Sequence, residues 1–371
     1  MPLFKTVGEQ ITGPGCFDQV GEAARRLGRR ALVVTGRAAL REAGVTDRAD
    51  VLLRAAGVEP VLFERIAGEP TAEQVDAGRE VCRAERCDLV IGVGGGSAMD
   101  AAKAVAALAF APVPTTEYVR GRAADAERVL PCIAVPTTSG TGAEVTPNAV
   151  IGDPAANVKA SIRGEEVLPR VALVDPDLTL TCPASVTAAS GLDALTQAIE
   201  SYVSIHATPL TESLSFGAAQ LLLAHLPAAV EDGGDRAARG ACAYGSLMAG
   251  MALSNARLGV VHGLAHPLGI RYHIPHGLCC GVLLPASIRL NREAAGEKYR
   301  RLSHITGGDI AAAVETMLDR FGVPRTLGGY HIPASDFDLI AEESMPSGSL
   351  KANPKPVTRE DVIRILEEVA R

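Results

Sequence analysis

No block of Lys or Arg runs along this chain, and 43 Asp and Glu outnumber 36 Lys and Arg to leave a formal net charge of −7. That balance excludes the basic stripe of a nucleic-acid surface and the polybasic patch of a membrane-docking face, so small molecules are the expected partners. No apolar run approaches the length needed to span a bilayer, and the opening MPLFKTVGEQ has neither an apolar h-region nor a small-residue cleavage site. The expected location is the cytoplasm. None of the eight cysteines (Cys16, Cys82, Cys87, Cys132, Cys182, Cys242, Cys279, Cys280) forms a CxxC pair. They read as reduced, mostly buried thiols with no assigned chemistry, not as a disulfide framework. Internal repeats and low-complexity segments are also missing.

What is present is an ordinary globular composition, 47% hydrophobic and 21% charged, over 371 residues, enough for about two domains. Short β-branched runs alternate with helical periodicity in the first half. Strands are expected at Arg30–Thr35, Glu59–Glu64, Cys87–Val93, Pro131–Val135 and Val171–Val174, with helices at Ala38–Ala56 and Thr71–Ala84 and another after Ser97. Thr71 is placed at or near a helix cap, with Glu73 close behind. Asn148–Gly152 and Asn157–Ile162 suggest a hairpin. From Ser185 onward the periodicity is helical: Thr187–Ser204, Thr211–Ala224, Ala237–Ala256, His262 onward, Ala294–Thr306, Ile310–Phe321 and Thr358–Val369. The fold class is therefore an α/β N-terminal domain, 1–180, of doubly wound type, followed by an all-α domain, 181–371.

Two loops offer sites for phosphate or ribose. Gly94, Gly95, Gly96 and Ser97 sit between a strand and a helix, where backbone N–H groups and the helix dipole favour an anion. The segment Pro136–Thr146, PTTSGTGAEVT, follows the next strand and is rich in hydroxyl donors. Together they suggest a dinucleotide site. Chemistry of another kind gathers between Asn255 and Pro285, where His262, His266, His273 and His276 lie within fifteen residues and make up half of the eight histidines. His262 and His266 share a helical face, the spacing of a metal-ligand pair. A carboxylate partner is found in SGLDALTQAIESYVS, where Asp193 is followed four residues later by Gln197 among apolar neighbours.

These motifs, with Asp100 and Lys103 after the glycines, then GLDALTQAIESYVS, HGLAHPLG and PHG, resemble the iron-containing (group III) alcohol dehydrogenase family in order and over essentially the whole chain. The resemblance implies a dehydroquinate synthase-like architecture with an active site in the cleft between its domains, and assembly as a homodimer or larger homo-oligomer. It implies NAD or NADP as cofactor, one divalent metal, Fe or Zn, and hydride transfer between nicotinamide and a small alcohol or aldehyde. Carried over by motif, Asp193, His262 and His276 are metal ligands and His266 relays the proton. Asn148 and Leu253 border the substrate, and Gly36, Arg37, Gly94, Gly95, Gly96, Ser97, Asp100, Thr137, Thr138 and Lys159 lie on the cofactor side. The fourth ligand of the iron enzymes is a histidine one turn after the aspartate, and here that residue is Gln197. Three readings follow: a three-ligand site, a four-ligand site that uses Gln197, or a metal-independent enzyme like the maleylacetate reductases. A dehydroquinate synthase-like lyase is the alternative from another reaction class.

Overall fold

The computed structural model describes residues 3–156 and 158–371, and it divides into two compact units. One comprises Thr6–Thr138 and Gly142–Cys182. The other comprises Pro183–Arg371 with Ser139–Thr141 and the N-terminal stretch that ends at Lys5.

The first unit is α/β. In chain order it contains β1 (Glu9–Thr12), α1 (Val20–Leu27), β2 (Arg30–Gly36), α2 (Ala39–Glu42), α3 (Val45–Ala55), β3 (Glu59–Ile66) and α4 (Ala72–Ala84). It continues with β4 (Leu89–Gly94), α5 (Gly96–Leu108), α6 (Thr115–Val119), β5 (Cys132–Pro136), β6 (Asn148–Asp153), β7 (Val158–Arg163) and β8 (Val171–Val174). Six strands form a sheet in the order β1-β8-β5-β4-β2-β3, and every pair in it is parallel. Side chains of β2 alternate between its faces: Leu32 and Val34 join the layer that holds Val75 and Ala101, whereas Ala31 and Val33 join the layer of Phe17, Val20 and Leu53. Burial on both faces is what makes these strands continuous apolar runs. The chain leaves β2 for β3 on one side and then returns to add β4 on the other, so strand order reverses at β2, the kind of switch point where open α/β sheets bind ligands.

Several local expectations change. β1 was not anticipated, because EQIT is a mostly exposed edge strand with no apolar pattern. The single helix expected over Ala38–Ala56 is two, interrupted at Gly44, whose φ of +72° is left-handed and cheap only for glycine. Thr71 does cap α4, but Gln74, not Glu73, completes the reciprocal pair: Thr71 Oγ1 accepts from Gln74 N and Gln74 Oε1 accepts from Thr71 N. The hairpin strands β6 and β7 pair antiparallel from Asn148↔Arg163 to Asp153↔Val158. Asn157, expected at the start of the second strand, lies outside the described residues.

The second unit contains α7 (Ala184–Val203), α8 (Pro209–Glu231), α9 (Arg236–Ala256), α10 (Val260–Tyr272), α11 (His276–Leu290), α12 (Gly296–Thr306), α13 (Ile310–Arg320), α14 (Phe337–Ser344) and α15 (Arg359–Val369). One buried cluster runs through all of these helices, from Leu192 and Leu195 of α7 through Leu264 and Leu284 to Leu366. The helix α8 corrects the expectation about apolar length: by length and composition it is long and apolar enough to cross a membrane. Here Ala218, Ala219, Leu222 and Leu226 on that helix are buried in the core of the bundle.

Candidate metal centre and active site

Three helices of the second unit build the site. Asp193 lies in the middle of α7 and is only 3% exposed; Gln197 and Glu200, four and seven residues on, are buried on the same helical face. His262 sits in the first turn of α10, and His276 is the first residue of α11. Close approach of α11 to α7 depends on two glycines one turn apart. A Cβ at Gly277 would lie 2.0 Å from the Ala189 carbonyl oxygen, and one at Gly281 would meet Leu192 at 2.9 Å.

The side chains converge. His262 Nε2 is 3.1 Å from Asp193 Oδ1, and His276 Nε2 is 3.7 Å from the same oxygen. Among the described residues, Asp193, His262, His276 and Cys280 place one potential ligand atom each within 4.8 Å of all the others. On its other edge His262 Nδ1 lies 2.6 Å from Glu200 Oε2, while Glu200 Oε1 accepts the Val261 N–H at 2.7 Å. A carboxylate accepts only, so Nδ1 carries the proton toward Glu200. A neutral imidazole then turns a lone pair toward the Asp193 carboxylate, and two acceptors 3.1 Å apart need a positive charge, from a proton or a cation. The donor set fits a cation. Gln197 adds a further sign: its Oε1 is buried with no hydrogen-bond partner, although the side chain hydrogen-bonds Asp193.

The electrostatics agree with this crowding. Burial alone would raise the Asp193 carboxyl, but the His276 charge and the hydrogen bond from His262 bring it below the usual carboxylate range. Burial opposes charging of His262, yet the Cys280 and Asp193 groups beside it hold its imidazole well above its ordinary value. His276 is raised against burial by Cys280 and Asp193. The Cys280 thiol is lowered, since the two imidazoles outweigh its burial.

Among the described residues His266 does not join His262 in the cluster of potential ligand atoms. Both are on α10, but His262 points into the cluster while His266 is exposed, its ring centre 5.8 Å from that of His276. His273 is exposed and ends α10 in a left-handed conformation. Leu253, near the end of α9, is half-buried. Glu200 and Cys280 were missed in the sequence, although each carries a spacing signal: Glu200 is seven residues after Asp193, and Cys280 is four after His276.

In the α/β unit the cofactor-side residues gather at the carboxyl ends of three adjacent strands. Gly36 ends β2 and Arg37 follows it, exposed; Gly94 ends β4 and leads through Gly95 into α5 at Gly96 and Ser97; Pro136 ends β5 and leads to Thr137 and Thr138. Gly94 has φ +151°, and a Cβ there would lie 2.8 Å from that of Ala98, so the turn demands glycine. Thr137 N donates to the Gly94 carbonyl at 2.9 Å, tying the two loops together. Asp100 is committed within the fold: its Oδ1 accepts from Lys103 Nζ at 3.0 Å and its Oδ2 from Val150 N at 3.0 Å. The fully buried Lys103 also donates to Thr146 Oγ1 and the Ala143 carbonyl, which turns Thr146 inward. Next to it, burial pushes the Glu144 carboxyl up to about 7. Lys159 pairs with Glu69, and Asn148 is half-buried at the start of β6.

Comparison with known proteins bears on this arrangement. Residues 8–176 match the family model described as iron-containing alcohol dehydrogenase, and residues 187–370 match that of its C-terminal domain. The NAD-dependent methanol dehydrogenase of Bacillus methanolicus is 35% identical over 96% of this chain and 97% of its own. The NADPH-dependent butanol dehydrogenase of Clostridium saccharobutylicum is 33% identical over 96% and 94%. The crystal structure of a 1,3-propanediol oxidoreductase superposes with a TM-score of 0.94 at 34% identity, covering 99% of each chain. With both of its units matched over nearly their whole length, the chain belongs to the iron-containing alcohol dehydrogenase family, as an oxidoreductase acting on CH–OH groups with a nicotinamide cofactor.

Proposed function

We propose that the chain interconverts a small alcohol and its aldehyde or ketone, with residues 1–180 holding NAD(P) and residues 181–371 holding the metal and carrying the catalytic groups. The observation that carries this reading is the convergence of Asp193 Oδ1, His262 Nε2 and His276 Nε2 around one buried point. When bound, a divalent cation there supplies a Lewis acid for the substrate oxygen, and the nicotinamide takes or gives the hydride. The chain's own residues do the rest. Asp193 brings a buried negative charge to the site, and Glu200 fixes the His262 tautomer so that Nε2 faces inward. The unpartnered Gln197 Oε1 accepts a hydrogen bond from a water or a substrate hydroxyl. His266, exposed beside His276, passes the hydroxyl proton between substrate and solvent. Asn148 and Leu253 shape the substrate's surroundings, and the backbone of Gly94–Ser97, with Thr137 and Thr138, receives the pyrophosphate. Turnover of an aldehyde panel with NADH and NADPH, before and after chelation, tests the reading: loss of activity on chelation and recovery with Zn²⁺ or Fe²⁺ is expected, and full activity without metal sinks it.

The cofactor preference follows from the end of β2. Family members often carry an aspartate there that repels a 2′-phosphate, whereas this chain has Gly36 followed by an exposed Arg37. Arg41, the other nearby cation, is already bound to Glu64. NADPH is therefore expected to be used at least as well as NADH, with Arg37→Ala lowering kcat/KM for NADPH roughly tenfold and leaving NADH little changed. A strong preference of the wild type for NADH removes the argument.

A further inference from the structure

We propose that Cys280 Sγ is a fourth protein ligand to the cation at Asp193, His262 and His276, and that the resulting Asp-His-His-Cys set holds zinc in preference to ferrous iron. This deepens the metal-centre reading above and rests on it. The first support is geometric. Donors bound to one tetrahedral ion at about 2.0–2.3 Å stand roughly 3.3–3.6 Å apart along each edge. Cys280 Sγ is 3.6 Å from His276 Nε2 and 3.8 Å from His262 Nε2, and the edges from Asp193 Oδ1 to His262 and His276 are 3.1 and 3.7 Å. These four of the six edges thus lie within about 0.2 Å of the dimensions of a coordination tetrahedron, and the longest, 3.8 Å, ends on the sulfur, where the metal–ligand bond is longest.

The second support is how the elements place these groups. His276 and Cys280 are one turn apart on α11, so their side chains leave the same face. The glycines of that face, Gly277 and Gly281, let α11 approach α7 closely enough for both side chains to reach Asp193. Cys280 is fully buried, and the polar atoms the structure gives its sulfur are the two imidazole nitrogens that themselves face Asp193. Cys279, equally buried on the adjacent position, has no place in the cluster.

The third support is Gln197. It stands where an imidazole would be the fourth donor, but its side chain hydrogen-bonds Asp193 and its Oε1 is left without a partner. A weak amide on α7 is thus offset by a strong sulfur donor on α11. Binding breaks the Cys280 S–H bond heterolytically: the electron pair stays on sulfur as the ligand, and the proton leaves to solvent, so no oxidant or reductant is involved. Thiolate is a soft donor, and Zn²⁺ lies above Fe²⁺ in intrinsic affinity, so adding it moves the site toward zinc.

Cobalt(II) reports sulfur ligation directly, through a thiolate-to-metal charge-transfer band in the near ultraviolet that imidazole and carboxylate do not give. The full-length protein, stripped by a chelator and reloaded with Co²⁺, is expected to show that band in the wild type and in Cys279→Ala. Cys280→Ser is expected to lose it while keeping the visible ligand-field bands. In competition against a chelator, Cys280→Ser should lower zinc affinity at least tenfold and shrink the zinc-to-ferrous preference by a similar factor. Stoichiometric cobalt without the band in the wild type, or a band that survives in Cys280→Ser, overturns the assignment of Cys280 and leaves the Asp-His-His centre standing. Failure of the wild type to take up any metal overturns the centre itself. An unchanged zinc-to-iron ratio in the serine variant overturns the selectivity. The wild-type spectrum decides ligation even where a variant fails to fold.

Discussion

Asp193→Ala is expected to lower kcat/KM by about a thousandfold and to abolish stoichiometric metal in the purified protein. Lewis-acid activation is worth several kcal/mol of transition-state stabilisation, and about 4 kcal/mol corresponds to three powers of ten in rate. Asp193 carries the anionic oxygen common to the His262 and His276 contacts, at 3.1 and 3.7 Å, and no other carboxylate in the cluster substitutes for it. It is also 3% exposed, so a carboxylate supplied by solvent has no easy route in. Asp193→Asn separates charge from shape, because the amide fills the same space as a far weaker ligand, and it is expected to fall within about tenfold of the alanine variant. Circular dichroism of both variants checks that α7 is intact, and elemental analysis follows the metal. Retention of kcat/KM within tenfold of wild type, in a folded variant with no metal, would show that catalysis runs without the centre.

How much of this site was legible in the sequence depends on whether a residue's role is set by its own helix or by a neighbour. Asp193 was readable because an acid amid Leu192, Ala194, Leu195 and Ala198 needs a partner, and the structure supplies two imidazoles. The histidine cluster was readable as a cluster. Spacing could not divide His262 from His266, which share a face of α10; packing of the helix buries one and exposes the other. Cys280 and Glu200 were passed over because a buried thiol and a helical acid are each commonplace. Their significance comes from neighbouring helices: α11 packs on α7 through close approaches at Gly277 and Gly281, and Glu200 of α7 meets the start of α10, where a Cβ on Gly259 would lie 2.7 Å from its Oε1. In the α/β unit the central strands were legible because burial on both faces leaves an unbroken apolar run, as in β8, where Val171–Val174 is the strand from end to end. The edge strand β1 has no such signal and owes its existence to pairing with β8, Glu9↔Val171 through Thr12↔Val174. Asp100 shows the converse, a motif residue whose carboxylate is spent on Lys103 and Val150.

Glu200→Gln is expected to weaken metal binding by 10- to 100-fold, the usual range for a lost carboxylate partner of a ligating histidine, with the fold retained. The glutamine has the same shape but cannot accept a hydrogen bond from both of its neighbours. In wild type both oxygens accept, Oε1 from Val261 N–H at 2.7 Å and Oε2 from His262 Nδ1–H at 2.6 Å. If the amide oxygen of the variant faces His262, its NH2 is driven against the Val261 N–H, a donor against a donor at the start of α10. If the oxygen faces Val261 instead, the NH2 donates to Nδ1 and the imidazole must carry its proton on Nε2. That proton points at Asp193 Oδ1, across the position the metal needs, and the ring becomes a hydrogen-bond donor where it was a ligand. Either arrangement opposes the metal-bound state, and the second stabilises the metal-free one. The variant should therefore lose affinity for zinc and cobalt while keeping a wild-type melting temperature in the presence of chelator. Nitrogen-resolved NMR of the His262 ring reads the tautomer directly, and an unchanged Nδ1–H tautomer together with wild-type metal affinity would show that Glu200 does not orient this histidine.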